Sequence, residues 1–436
     1  MIWDHRHECM DREELRSLQL QRLKEVLHRV YRRVPYYRQL FDAHGVRPED
    51  LRSLEDIQKF PFTTKAALRD NYPYGLFAVP LKDVVRLHAS SGTTGKPIVV
   101  GYTRKDLEIW SELVARIVTQ AGVTSDDVVQ ITFGYGLFTG AFGLHYGLEK
   151  VGATIVPSSV GNSEKQIMLM KDFGTTVLVG TPSYALHLGE TARSMGIDPA
   201  GLKVRLGLFG SEAWSEEMRR ELEKMWGMKA TDNYGLSEVM GPGVCGECGL
   251  KQGMHIAEDH FLVEIVDPET GEALDYGQEG EVVITTLTKE ALPVIRYRTR
   301  DISVINPEPC ACGRTSARLR RVTGRTDDML IISGVNVFPS QIESVLIEVE
   351  GVSPHYQIVV DKRGYLDYLE VQVEMTEEFF TGSFRDLEAL EEKIRRRLQT
   401  VLSINPRVRL LEPHSIERSQ GKARRIIDRR RAEGKV

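Results

Sequence analysis

At 436 residues, with 41% hydrophobic and 27% charged side chains, the chain has the balance of a folded globular protein and exceeds the size at which one core keeps growing, so two domains are expected. Its formal charge of -5, from 57 basic and 62 acidic side chains, excludes a global field favouring nucleic acid or an anionic membrane, and any anion must be held locally. Five cysteines, an odd number, together with residues 1–10 that lack the basic start and apolar stretch of an export signal, point to the cytoplasm and to free thiols or a metal site rather than disulfides.

Apolar residues recur at helical spacing from Arg12 to Phe41 (Leu15, Leu18, Leu20, Leu23, Leu27, Val30), interrupted at Pro35, and predict a helical entry. Apolar runs at 128–133, 154–157, 176–180 and 204–209 predict buried strands, with helices between them at 107–120, 164–172, 184–195 and 215–226. That alternation implies an α/β fold with mostly parallel sheets flanked by helices. No apolar run approaches the ~20 residues needed to span a bilayer. After Gly241 shorter runs at 261–267, 280–287 and 302–305, separated by Asp-Pro and Gly turns, predict a β-rich subdomain over about 241–323. A mobile α+β unit is expected from Asp327 onward, with a strand at 329–332, a helix at 339–349, strands at 355–360 and 368–375 and a basic helix at 386–402. The implied division is a large N-terminal domain, 1–326, and a small C-terminal domain, 327–436.

Between the apolar stretches 84–87 and 98–100 lies Ser90-Ser91-Gly92-Thr93-Thr94-Gly95-Lys96. Four hydroxyls, two glycines and a lysine in seven residues supply main-chain N–H groups, hydroxyls and an ammonium to phosphate oxygens. The glycine spacing and the following Pro97 distinguish it from a Walker A loop. In isolation the same residues also serve as a polar hairpin turn.

Further along stand Asn233-Tyr234-Gly235-Leu236-Ser237-Glu238, Arg296-Tyr297-Arg298-Thr299-Arg300-Asp301, Gly324-Arg325-Thr326-Asp327-Asp328 and Gly421-Lys422. In this order, with the loop above, they make the chain resemble the adenylate-forming superfamily (acyl-CoA synthetases and firefly luciferase-like enzymes) and, within it, the phenylacetate-CoA ligases. The resemblance covers nearly the whole chain and implies ATP-dependent conversion of an aryl-acetic acid, phenylacetate first, to its CoA thioester through an acyl-adenylate, with release of AMP and pyrophosphate. It implies that Tyr234 stacks on adenine beside Asn233 and Gly235, that Ser237 lies near the phosphates and that Glu238 holds Mg2+, a hard cation suited to carboxylate oxygen. Gly210-Ser211-Glu212 resembles a nucleotide-contacting loop, with Ser211 and Ala213 departing from the usual Gly-Ala-Glu-Pro. Asp301 matches the ribose-binding aspartate, although Arg298 and Arg300 compete for it as ion-pair partners. Arg325 matches a nucleotide-contacting arginine, Asp327 the hinge, Ser333, Gly334 and Val335 the tunnel for coenzyme A, and Lys422 the catalytic cation of the adenylation step.

The aromatic and small residues Tyr135, Gly136, Phe138 and Ala141 suit a flat apolar slot for an aryl group, and the resemblance assigns this region to the acid. Cys245, Cys248, His255, Cys310 and Cys312 are soft ligands from which a closed, structural Zn2+ site is built. The resemblance matches Cys248, His255, Cys310 and Cys312, and spacing alone leaves Cys245 open as the fourth ligand in place of His255. The expected small molecules are therefore ATP, coenzyme A and an aromatic acid, with no nucleic acid or membrane partner and a homodimer at the family level. Two other readings are an adenylating enzyme with another aromatic acid or a non-CoA acceptor, and a non-catalytic nucleotide binder.

Overall fold

The computed structural model describes residues 1–89, 97–326, 330–332, 335–363, 366–380, 384–402, 404–418 and 425–429. The chain enters through α1 (His5–Glu8) and α2 (Arg12–Arg33), where the Asp11 carboxylate caps α2 by accepting from the Glu13 and Glu14 N–H groups. Leu15, Leu23, Val26, Leu27 and Val30 bury one face of α2. Pro35, which has no N–H to donate, ends that helix and opens α3 (Pro35–Ala43). After α4 (Lys65–Asp70), β1 (Arg86–Ala89) and β2 (Val99–Tyr102) pair antiparallel, Ala89 opposite Val99, on either side of residues 90–96.

Strand and helix then alternate: α5 (Arg104–Ala121), β3 (Val128–Ile131), α6 (Thr139–Val151), β4 (Thr154–Val156), α7 (Ser163–Phe173), β5 (Val177–Gly180), α8 (Pro182–Ser194), β6 (Leu206–Gly210), α9 (Glu216–Trp226) and β7 (Lys229–Leu236). The strands run parallel in the order β4, β3, β5, β6, β7. Every residue of β5 and β6 is buried, because helices cover both faces of a parallel sheet, and this is why those strands are continuous apolar runs. Helix α6 and the strands β7 and β8 are among the elements absent from the sequence-based expectations.

At β7 the same sheet turns antiparallel and continues through β8 (Gly241–Glu247), β9 (Met254–Ile256), β10 (Phe261–Val266), β11 (Glu279–Thr286), β12 (Tyr297–Asn306), β13 (Arg318–Leu319) and β14 (Gly324–Arg325). Among the described residues it reaches 12 strands, so the β-rich region extends the parallel sheet through backbone pairing. A second, smaller lobe follows. It comprises the ribbon β15 (Leu330–Ile332) and β16 (Val335–Val337), α10 (Pro339–Ile347), β17 (Val352–Arg363), β18 (Leu366–Met375), α11 (Glu377–Phe380), α12 (Phe384–Leu402), β19 (Arg407–Leu411) and β20 (Ile426–Asp428). Its sheet order is β19, β18, β17, β20, and Ile342, Leu346, Ile358, Val371, Ile394 and Leu398 contribute to a core distinct from that of the large lobe. The basic helix α12 buries Leu390, Ile394, Leu398 and Leu402 and turns Arg396 outward against Glu392. No described helix is long and apolar enough to cross a membrane.

Candidate active site

A cavity of about 880 Å³ opens where the parallel strands end. Its wall takes Thr132 and Phe133 from just beyond β3, Thr181 from beyond β5, Ser211 and Glu212 from beyond β6 and Tyr234 from β7. In doubly wound sheets the chain leaves each strand for a helix at this edge, which leaves a crevice lined by loop residues and free backbone groups.

Part of the wall is built by β7 and β12. The Tyr234 hydroxyl donates to Asp301 Oδ2 at 2.5 Å, and Arg325 Nη1 donates to Asp301 Oδ1 at 3.1 Å. The arginine reaches Asp301 because β14 pairs with β12 in the register Asp301 opposite Arg325. The competing expectation, that Arg298 or Arg300 claims Asp301, is corrected: Arg298 Nη2 lies 2.5 Å from Glu281, and Arg300 is 3.5 Å from the same carboxylate. Asn233 donates to the Phe209 carbonyl at 2.6 Å, and Ser237 shares a 2.8 Å hydrogen bond with Thr139. Glu238 also lines the cavity, 7% exposed, with no hydrogen-bond or ion-pair partner among the described residues. A carboxylate so placed needs a cation or water, and it fits the hard oxygen site that Mg2+ takes.

Glu212 accepts from the Ser183 N–H at 2.8 Å, and Ser211 sits at φ 70°, in the left-handed region that only glycine adopts without strain. Gly210 is not on the wall; a Cβ there would meet the Asn233 carbonyl oxygen at 2.4 Å, so its bareness lets β6 and β7 approach. Asp232 lines the cavity and was not singled out in the sequence. Burial pushes its carboxyl up to about 7, with Glu247 adding to the effect and Arg321, 3.8 Å away, opposing it. Thr64, Lys65 and Trp214, which were not named as site residues from the sequence, also line the cavity.

The same cavity has apolar lining from Phe133, Phe138, Leu144, Val160 and Tyr184. Of the residues named for an aryl slot, Phe138 lines the cavity. Tyr135, Gly136 and Ala141 do not line the cavity: Tyr135 bonds His145 Nδ1 at 3.0 Å and meets the Phe142 ring edge-on, and Ala141 is fully buried in α6. Residues Ser90, Ser91, Gly92, Thr93, Thr94, Gly95 and Lys96, with Asp327, Ser333, Gly334 and Lys422, lie outside the described residues, and Val335 opens β16.

A second cluster lies at the far side of the sheet. Antiparallel pairing of β13 with β9 sets Arg318 opposite His255 and so draws the loop bearing Cys310 and Cys312 to the end of β8, where Cys248 sits. The ligand atoms of Cys248, His255, Cys310 and Cys312 all lie within 4.8 Å of one another, with Cys248 to Cys310 at 3.9 Å and Cys312 to His255 Nε2 at 3.4 Å. Ser316 meets His255 Nδ1 at 3.2 Å, which leaves Nε2 facing the sulfurs, and burial with Arg314 and Arg318 nearby pushes the imidazole down to about 3, the neutral ligating form. Cys245 belongs to the hydrophobic core instead, opposite Tyr234 and Ile256 in the sheet, so the alternative fourth ligand is excluded from this set.

A crevice with both polar, anion-handling and aromatic lining, shared by two lobes, defines a nucleotide-using α/β enzyme. A family model described as AMP-binding enzyme matches residues 42–287, and one described as AMP-binding enzyme C-terminal domain matches residues 334–430. A phenylacetate-coenzyme A ligase of Aromatoleum evansii is 51% identical over 426 residues, 97% of this chain and 96% of that protein. A crystal structure of 2-hydroxyisobutyryl-CoA ligase in the postadenylation state matches with TM-score 0.93 at 29% identity, over 99% of this chain and 93% of that chain. The same ligase in the thioesterification state matches with TM-score 0.73 at 30% identity, over 98% and 92%. The chain belongs to the phenylacetate-coenzyme A ligase family of AMP-binding enzymes, which are acid–thiol ligases.

Proposed function

We propose that the protein activates phenylacetate with ATP and passes the phenylacetyl group to coenzyme A. The observation that carries this reading is one cavity whose lining includes both Tyr234, Asp301 and Arg325 and the aromatic Phe133 and Phe138. An oxygen of the acid attacks the α-phosphorus, the bond to the β-phosphate breaks and pyrophosphate leaves; the thiol sulfur then attacks the acyl carbonyl, AMP leaves and the thiol proton passes to solvent. Asp301 accepts from the ribose hydroxyls while Arg325 and Tyr234 hold its two oxygens in place, and the aromatic lining excludes water from the mixed anhydride. Glu238 is assigned to hold Mg2+, which when bound offsets phosphate charge. Ser90 to Lys96 are assigned to the β- and γ-phosphates, and Lys422 to the charge that builds on the carboxylate and α-phosphate.

A pyrophosphate-release screen over aryl acids, with and without coenzyme A, tests this, and phenylacetate is expected to give the fastest release. Release without any acid would sink the reading, and release without thioester formation would assign another acceptor. Lys422→Ala is expected to abolish release yet spare thioester formation from supplied phenylacetyl-adenylate. The Cys248, His255, Cys310, Cys312 set is assigned a structural Zn2+, so protein prepared without chelator should carry about one zinc per chain; metal-free folded protein would remove it. The proposed compartment is the cytoplasm, where such thiols stay reduced.

A further inference from the structure

Three positions after Lys422, Arg425 immediately precedes the strand β20 and enters a buried polar knot between the lobes. At its centre is Glu343 of α10, only 3% exposed. Glu343 Oε1 accepts from the Ser215 N–H of the large lobe at 3.3 Å, while Oε2 accepts from the Tyr356 hydroxyl at 3.0 Å and forms an ion pair with Arg425. The Arg425 guanidinium lies over the Tyr356 ring, 4.4 Å from its centroid, and the Ile358 N–H donates to the Arg425 carbonyl at 2.6 Å. Side chain and backbone of that residue are thus both fixed. Ser215 in turn closes the segment 211–215, from which Ser211, Glu212, Ala213 and Trp214 line the cavity.

A buried carboxylate is stable only while its donors surround it, and one of the donors to Glu343 belongs to the opposite lobe. We propose that Glu343, Tyr356 and Arg425 form a positioning unit that locks the small lobe onto segment 211–215 for the acid-activating step, without touching the reactants. Seating the lobe sets its position against segment 211–215, and misplacement by an ångström is enough to cost a large rate factor. Once adenylate has formed, release of the Ser215 N–H frees the lobe, while the Glu343, Tyr356 and Arg425 contacts stay within it.

The inference rests on the adenylation reading above, and the experiment separates the two. Acid-dependent exchange of pyrophosphate into ATP, thioester formation from synthetic phenylacetyl-adenylate, and the thermal midpoint are measured for the unmodified protein, Glu343→Gln and Tyr356→Phe. Glu343→Gln should lower exchange on the order of 100-fold while thioester formation stays within about twofold. Tyr356→Phe, which removes one hydrogen bond and folds more readily, should lower exchange about fivefold in the same selective way. Arg425→Lys should recover part of what Arg425→Met loses, because the cation is kept. Unaltered exchange in Tyr356→Phe and Glu343→Gln, or loss of both half-reactions by one factor, would overturn the inference. Unmodified protein without exchange on any aryl acid would instead overturn the adenylation reading.

Discussion

The decisive features of the site are single side chains whose charge is set by their surroundings. Asp232 is the clearest, a cavity-facing carboxyl that burial and Glu247 push up to about 7 from the usual 3.8, against the opposing pull of Arg321. Because the folded protein keeps this proton to a higher pH than the unfolded chain, folding stability contributed by the group is lost as pH rises from about 4 to 7 and is flat beyond. Asp232→Asn mimics the protonated form. Its thermal midpoint is expected to equal that of the parent near pH 4 and to exceed it at pH 8, by an amount equivalent to on the order of 3 kcal/mol. A gap that is constant across that range would show that Asp232 is ionised in the folded protein throughout. Residue-level legibility was uneven for a related reason. Tyr234, Glu238 and Asp301 stood out because their motif order carries chemistry, but the partner of Asp301 did not, since the two arginines nearer in sequence pair with Glu281 and Arg325 arrives through the pairing of β14 with β12. Asp232 has an ordinary identity and an unusual environment, and only the fold supplies the second.

At the scale of elements, helices and strands were legible where burial left a periodic trace. The strands β3, β5 and β6 were found because both of their faces are covered, and α12 because Leu390, Ile394, Leu398 and Leu402 recur four apart. Helix α6 was missed because Gly140, Gly143 and Gly147 lower its intrinsic preference by about 1 kcal/mol each. Their reason is tertiary. A Cβ on Gly143 would stand 2.4 Å from the Trp110 ring, and one on Gly147 would stand 2.2 Å from Val114 Cγ1 and 3.0 Å from the Val114 backbone carbon, so the glycines let α5 and α6 pack face to face. In β7 and β8 the same logic hid two strands, since a Cβ on Gly235 would meet the Gly241 carbonyl oxygen at 1.9 Å. Gly147→Ala sets helix preference against overpacking. The propensity gain is about 1 kcal/mol, whereas forcing apart two buried helices costs about 3 kcal/mol, so the variant should be less stable by roughly 2 kcal/mol in urea melts. Val114→Ala in the same chain should recover part of that loss, because the two side chains compete for one space. An unchanged or raised midpoint would show that the helices have room to separate.

In the whole molecule the small lobe meets the large one through polar contacts as well as through the apolar Ile347. Glu190 of α8 pairs with His355 of β17 at 3.0 Å, the Ser215 N–H reaches Glu343, and the Ser340 hydroxyl donates to the Thr323 carbonyl. The main cores of the two lobes are separate, and Ile347 of α10 packs across the boundary onto the large-lobe cluster that holds Trp214, Met218 and Leu222. That arrangement suits a protein whose two half-reactions need different approaches to one acyl-phosphate bond. Its chain overlays more fully on a relative in a postadenylation state, TM-score 0.93, than on the same relative in a thioesterification state, TM-score 0.73. If the contact between α8 and β17 belongs only to the first arrangement, tying it should arrest the cycle there. Glu190→Cys with His355→Cys, joined by a short bismaleimide, is expected to keep acid-dependent pyrophosphate exchange while losing thioester formation from supplied adenylate by at least roughly 100-fold. The same double variant left unlinked should perform both half-reactions, and mass spectrometry of the linked peptides verifies that the tie is intramolecular. Full thioester formation by the linked protein would mean that coenzyme A reaches the adenylate without any movement of the small lobe.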